Sequence, residues 1–168
     1  APAVSSAHFN KWELDFLIDY IITNHHSYVT NEITTIEHHM QKVVDKHGEK
    51  HPELYTINGL FGQLKEELLI HMQKEEKMLF PYIKKMVLVQ KNGLEFPHPP
   101  FGSVMSPVSV MEAEHEGAGN LVRDLRKAAD NFNPPSDACT TFRILYSELA
   151  EFESDLHIHI HLENNILF

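Results

Sequence analysis

The chain has 168 residues, 42% of them hydrophobic and 23% charged, a balance that suits one soluble domain with a single core. Its net charge of -10, with Lys and Arg scattered, argues against a nucleic-acid partner, and the lone cysteine, Cys139, excludes an internal disulfide or a thiolate-only metal site. No run approaches the roughly 18 apolar residues of a membrane span, and Ala1 to Ser6 lack the character of a signal peptide, so the expectation is a soluble, cytoplasmic protein with no membrane partner.

Apolar residues recur three and four apart from Trp12 to Lys46 (Phe16, Leu17, Tyr20, Ile21, then Val29, Ile33, Ile36, Met40, Val43), which predicts a first helix. Gly48 offers it a stop, and Pro52 suits the first turn of a second helix that runs to about Val89. Between Lys91 and Ser106, the breakers Asn92-Gly93, Pro97, Pro99-Pro100 and Gly102 predict a long loop. Ser106-Pro107 reads as an N-cap and first-turn proline that open a third helix through Phe132, closed by Asn133-Pro134-Pro135. Ser136 and Asp137 offer caps for a fourth helix carrying Phe142, Leu145, Leu149, Phe152, Leu156 and Ile160. Four helices and no convincing strand predict an all-α, antiparallel four-helix bundle, with residues 1–168 as one domain.

Histidine is over-represented, with 13 residues spread along the chain, and its placement carries the functional signal. The second helix contains His71-Met-Gln-Lys-Glu75 followed by Leu79-Phe80; the fourth echoes it with His159-Ile-His-Leu-Glu163 followed by Leu167-Phe168. A histidine and a glutamate four apart project from one helical face. A single such pair is ordinarily a surface ion pair. The duplication, and apolar neighbours such as Leu68, Met72, Leu156 and Leu162, point inward instead, where unpaired charge would be costly and metal coordination removes the cost.

The third helix supplies His115 and the first supplies His25-His26. With a rise of about 1.5 Å per residue, His71 lies roughly 28 Å from the turn joining the first two helices, so its neighbour on the antiparallel first helix falls near residue 28, beside His26. His47 is about 31 Å from His26 along an unbroken helix, which sets it apart from such a site and leaves it a role on the helix dipole. The expected metal ligands are therefore His26, His71, Glu75, His115, His159 and Glu163. His25, turned about 100° from His26, reads as supporting or solvent-facing, and so do His157 and His161. Glu76, Glu112 and Glu114 read as exposed carboxylates, with the alternative that Glu114 orients an imidazole. His8, His38, His39, His51 and His98 receive no functional role.

The strings His71 to Pro81, Pro107 to His115, Asp137 to Phe142 and His159 to Phe168 resemble, in order, the hemerythrin-like domain of the repair-of-iron-centres family of di-iron proteins, over about Leu17 to Phe168. The resemblance implies a hemerythrin-like bundle with two non-haem iron ions, oxo- and carboxylate-bridged, Glu75 and Glu163 being the bridges and the four histidines the terminal ligands. It also implies a role for His47, through the family's Val-x-x-x-His pattern at Val43 and His47, against which the distance argues. Family members usually carry a small cysteine-bearing N-terminal domain, and this chain is expected to represent the di-iron domain without it.

The resemblance further implies repair of iron-sulfur clusters damaged by oxidative or nitrosative stress, by iron donation to iron-sulfur proteins. The same ligands serve two alternatives: a module that binds or senses O2 or NO, and a di-iron reductase of nitric oxide or nitrite. Oxygen and imidazole ligands also suit manganese or zinc. Whether the chain is an enzyme, and whether it forms a homodimer, stay open at this level.

Overall fold

The computed structural model describes residues 13–93 and 105–167; Trp12, His8, His98 and residues 94–104 of the expected long loop lie outside them. Among the described residues there are four helical rods. The first, α1, covers 14–47 as Leu14–Tyr20, a π-helical turn Ile21–His26 and Ser27–His47. The second, α2, covers 53–91 as Glu53–Lys74, a π-turn Glu75–Leu79 and Phe80–Lys91. The third, α3, is Met105–Ala128, and α4 joins Thr140–Leu162 to a π-turn Glu163–Leu167. The expected all-α bundle is present, with α1 packed chiefly on α4 and α2 on α3.

The wide turns solve a register problem. Buried residues along α1 follow three-four spacing from Val29 to Val44, but Ile21 and His26 are five apart. A π-turn, with its i→i+5 bonding, takes up the extra residue and returns both flanks to the same face. In α2, Glu75 and Phe80 are likewise five apart and both buried, across the turn Glu75–Leu79.

The apolar interior falls into two parts. The larger spans Val29 to Val44 of α1 with Leu54 to Met72, Ala118 to Ala129 and Phe142 to Leu156. The smaller gathers Leu17, Ile18 and Ile21 with Leu79, Phe80, Ile83, Val108, Met111 and Leu162. In sequence, His26, Glu75, His115 and His159 fall between these two sets, while His71 lies beside Met72 of the larger and Glu163 follows Leu162 of the smaller.

Several boundaries differ from expectation. Helix α3 ends at Ala128 rather than Phe132, because Asp130, Asn131 and Phe132 all take positive φ of 51°, 57° and 60°. Asn131 N–H then bonds Arg126 O at 2.8 Å, a 6→1 closure of the helix end. Phe132 is a poor residue for that region, and it is held by the Arg126 guanidinium 5.0 Å from its ring and by Tyr146 edge-on. Gly48 keeps right-handed dihedrals; a Cβ there would come within 2.6 Å of Val44 O and 2.7 Å of the Tyr55 hydroxyl, so close approach, not conformation, calls for glycine.

Ser136 and Asp137 do not cap α4, which starts at Thr140 with Cys139 at the N-cap position. Asp137 instead binds His51, a histidine without a functional signal in the sequence: His51 Nε2 lies 2.9 Å from Asp137 Oδ1, and its Nδ1 lies 3.2 Å from Glu53 Oε1. Both ring nitrogens face carboxylates, so both can donate only when the ring is protonated. The hydrogen bond to Asp137 leads the causes that raise the His51 pKa, and the same bond lowers that of Asp137.

The staple between the α1–α2 turn and the segment before α4 is therefore complete above the depressed Asp137 pKa and is lost as pH rises through the raised His51 pKa. His51→Ala is expected to lower the melting temperature more at pH 6 than at pH 10, by about 1–3 °C, the ring packing on Phe142 being lost at both, as read by calorimetry at the two pH values.

Candidate metal centre

All six residues singled out from sequence meet in the polar layer between the two apolar regions. His26 ends the π-turn of α1; His71 and Glu75 lie one turn apart where α2 enters its π-turn, and His159 and Glu163 do the same on α4; His115 comes from α3. All are buried, the two glutamates with no exposed surface at all. Two overlapping groups result, His26, Glu75, His159 and Glu163 on one side and His71, Glu75, His115 and Glu163 on the other, each with ligand atoms within 4.8 Å of one another. Both carboxylates are shared between the groups.

Each histidine pair points two nitrogens at one spot. His71 Nε2 and His115 Nε2 are 2.8 Å apart, and His26 Nε2 and His159 Nε2 are 3.1 Å apart. Carboxylate oxygens crowd the same places: Glu163 Oε1 is 2.6 Å from His159 Nε2 and 3.6 Å from His26 Nε2, while Oε2 is 2.7 Å from His115 Nε2 and 3.8 Å from His71 Nε2. Glu75 also abuts His71 Nε2. Yet both Glu75 oxygens and Glu163 Oε2 make no hydrogen bond of proper geometry among the described residues. Lone pairs that converge without pairing fit a shared cation, and the four-histidine, two-carboxylate donor set suits first-row divalent metals.

The outward ring nitrogens reinforce this. His71 Nδ1 donates to Glu114 Oε2 at 2.6 Å, His115 Nδ1 to Asn164 Oδ1 at 2.7 Å and His26 Nδ1 to Glu76 Oε1 at 3.3 Å. An Nδ1–H fixed by an acceptor leaves Nε2 as the ligating atom, the arrangement by which outer partners orient metal-bound imidazoles. Glu114 is thus an orienting residue for His71 rather than for the adjacent His115, and Lys74 holds its other oxygen. Asn164 and Asp155 had no signal in sequence, since an amide or a carboxylate on a polar helix is unremarkable until its neighbour is known.

His25 is buried, not solvent-facing, because the π-turn brings both adjacent histidines inward; its Nδ1 contacts Asp155 Oδ1 at 2.9 Å and its ring stacks on His159. His157 is exposed, and His161 bonds Asn165. His47 packs edge-on against Phe142 at the other end of α1, with His51 beside it, and belongs to neither group. Cys139 packs against the larger apolar region.

With protons in place of cations, the site is strongly coupled. Burial lowers the His71 and His115 pKa values, but the close contacts and negative charge of Glu163 and Glu75 overcome it and raise them to about 10 and about 9. His26 is raised against burial by Glu163 and Glu75 in the same way. Burial would push Glu163 up, and the surrounding imidazoles instead hold it well below the usual carboxylate range; Glu75 is raised, by burial and by its neighbour Glu163. Two openings reach this layer. One, beside His71 and His115, is lined mainly by apolar surface from Leu68, Ile70 and Ala118, with Glu67 and Glu114 at its edge. The other, beside His26, is walled by Ile22, Ser27, Thr30, Asn31 and Glu76.

Residues 17–168 match the model of the hemerythrin HHE cation binding domain. The chain belongs to this hemerythrin family. It is 37% identical over 152 residues to the iron-sulfur cluster repair protein YtfE of Enterobacter sp. (strain 638), a match covering 90% of this chain and 63% of that protein. Against the YtfE proteins of Yersinia pseudotuberculosis serotype IB (strain PB1/+) and Yersinia pestis (strain Pestoides F), it is 35% identical over 164 residues, 98% of this chain and 68% of each relative. The hemerythrin domain here thus spans about two thirds of the length of these relatives. No helix among its described residues is long and apolar enough to cross a membrane.

The raised imidazole pKa values set a pH dependence for this hemerythrin site. Metal must displace protons held at neutral pH by His71 and His115, so uptake is expected to release protons, and apparent affinity to climb with pH by about tenfold per unit for each proton displaced. Titration with Fe(II) or Zn(II) in weakly buffered solution, with a pH indicator, reads this directly; uptake without proton release would contradict the assignment.

Proposed function

We propose that the chain is a di-iron protein that helps restore damaged iron-sulfur clusters in the cytoplasm by giving up iron to them. The carrying observation is the pair of overlapping donor groups that share Glu75 and Glu163: two histidine pairs, each facing its own oxygen of Glu163, make room for two cations rather than one. In this reading Glu75 and Glu163 bridge, and His26, His71, His115 and His159 ligate the two ions from outside. When bound, iron supplies redox chemistry and a store of exchangeable metal.

The donor set supports release as well as binding. It holds no thiolate, and its carboxylates and imidazoles take up protons readily as metal leaves, which the raised pKa values of His71, His115 and His26 favour. The names of the YtfE relatives supply the acceptor class, iron-sulfur proteins. A second reading, capture of a small neutral molecule such as O2 or NO, is favoured by the mainly apolar opening at His71 and His115.

Purified from iron-supplemented cells, the chain is expected to hold about two irons, and Glu75→Ala or Glu163→Ala fewer than one, by elemental analysis. Incubated with an apo iron-sulfur acceptor, sulfide and reductant, the loaded chain should lose iron as the acceptor gains cluster absorbance. Full retention of iron beside the acceptor would refute donation, and reversible O2 binding by that same protein would favour the second reading.

A further inference from the structure

The two halves of the site are held unequally from outside. His71 and His115 are each clamped at Nδ1 by a short bond, 2.6 Å to Glu114 and 2.7 Å to Asn164, and Glu114 is anchored in turn by Lys74. On the other side, His26 reaches Glu76 at 3.3 Å, and the Glu76 side chain is 38% exposed. His159 Nδ1 is buried with no hydrogen-bond partner among the described residues. His25, stacked on that ring at 5.6 Å, is not its partner either: its Nδ1 contacts Asp155, and its Nε2 is likewise buried without a hydrogen bond among the described residues.

Backbone and access differ in the same sense. His26 belongs to the π-turn Ile21–His26, whereas His71 and His115 sit in regular α-helix. The opening at His26 is walled by the polar residues Ser27, Thr30, Asn31 and Glu76 together with Ile22, the two hydroxyls bonding back to Ile22 O and His26 O, and Glu76 supplies a half-exposed carboxylate suited to a hydrated cation. Loss of an outer partner typically weakens metal affinity by about ten- to a hundredfold. Among the described residues, one half has no protein side chain in that role at His159 and a longer bond, 3.3 Å, at His26.

Resting on the two-iron reading above, we propose that the subsites are unequal: the cation between His26 and His159 is given up first, past Glu76, while the cation between His71 and His115 is retained. Glu76 is then a positioning residue for His26 that stands at the exit.

The test is removal of iron from the loaded chain by a ferrous chelator under reducing conditions, followed by absorbance. Two phases of equal amplitude are expected, at least about tenfold apart in rate. Glu76→Ala should quicken the fast phase and leave the slow one alone, whereas Glu114→Ala should quicken the slow phase. Crystals of the half-depleted wild-type chain, examined at the iron edge, should show the remaining ion at His71 and His115 whatever the variants do. A single phase from a chain that loads two irons, or residual iron at His26 and His159, overturns the inequality while leaving two-iron binding intact. A chain that binds two irons and yields neither overturns donation and this inference together.

Discussion

Two glutamates with no exposed surface face each other in the middle of the bundle, and four buried imidazoles close around them. Ionised groups taken from water cost several kcal/mol each, and only opposite charge in good geometry offsets that. The constraint dictates much else. Each glutamate sits one turn beyond a histidine on its own helix, and the remaining histidines arrive from the other two helices, so all four must be present and in register for the charges to be matched.

That demand explains why the helices depart from ideal winding at the same level. Each of the three π-turns among the described residues touches the ligand layer: one ends on His26, one starts at Glu75 and one starts at Glu163. An inserted residue re-aims the ligand and lets the apolar face resume beyond it. The outer hydrogen bonds then fix what winding alone leaves free, the rotation of each imidazole about its own axis. Glu76, Glu114 and Asn164 each reach in from a neighbouring helix, and so the spacing of the rods and the direction of the rings are set together.

The bundle was legible because its apolar residues repeat at three and four, and the buried polar cluster because His71/Glu75 and His159/Glu163 repeat one another inside apolar stretches. Rise per residue was enough to choose His26 and to set His47 aside at the far end. What periodicity could not supply was the insertion of a residue: with ideal winding His25 should turn away from His26, and only the π-turn buries both. Nor could it supply partners distant in sequence. Asp137 looked like a helix cap and is a staple to His51; Asp155 and Asn164 looked like nothing, because their meaning depends on which imidazole lies opposite.

The ligand layer also divides the molecule lengthwise. Beyond it, Leu17, Ile18, Ile21, Leu79, Phe80, Ile83, Val108, Met111 and Leu162 form a small cap of their own, joined across α1 and α2 by ion pairs of Lys84 with Asp19 and Lys91 with Glu13. A patch of that size is weak alone, and its connection to the larger region runs through the charged layer. An occupant of that layer would act as a rivet: drawing on donors from all four rods, bound cations would tie the small cap to the long body of the bundle, and the cap is the part that would loosen first without them.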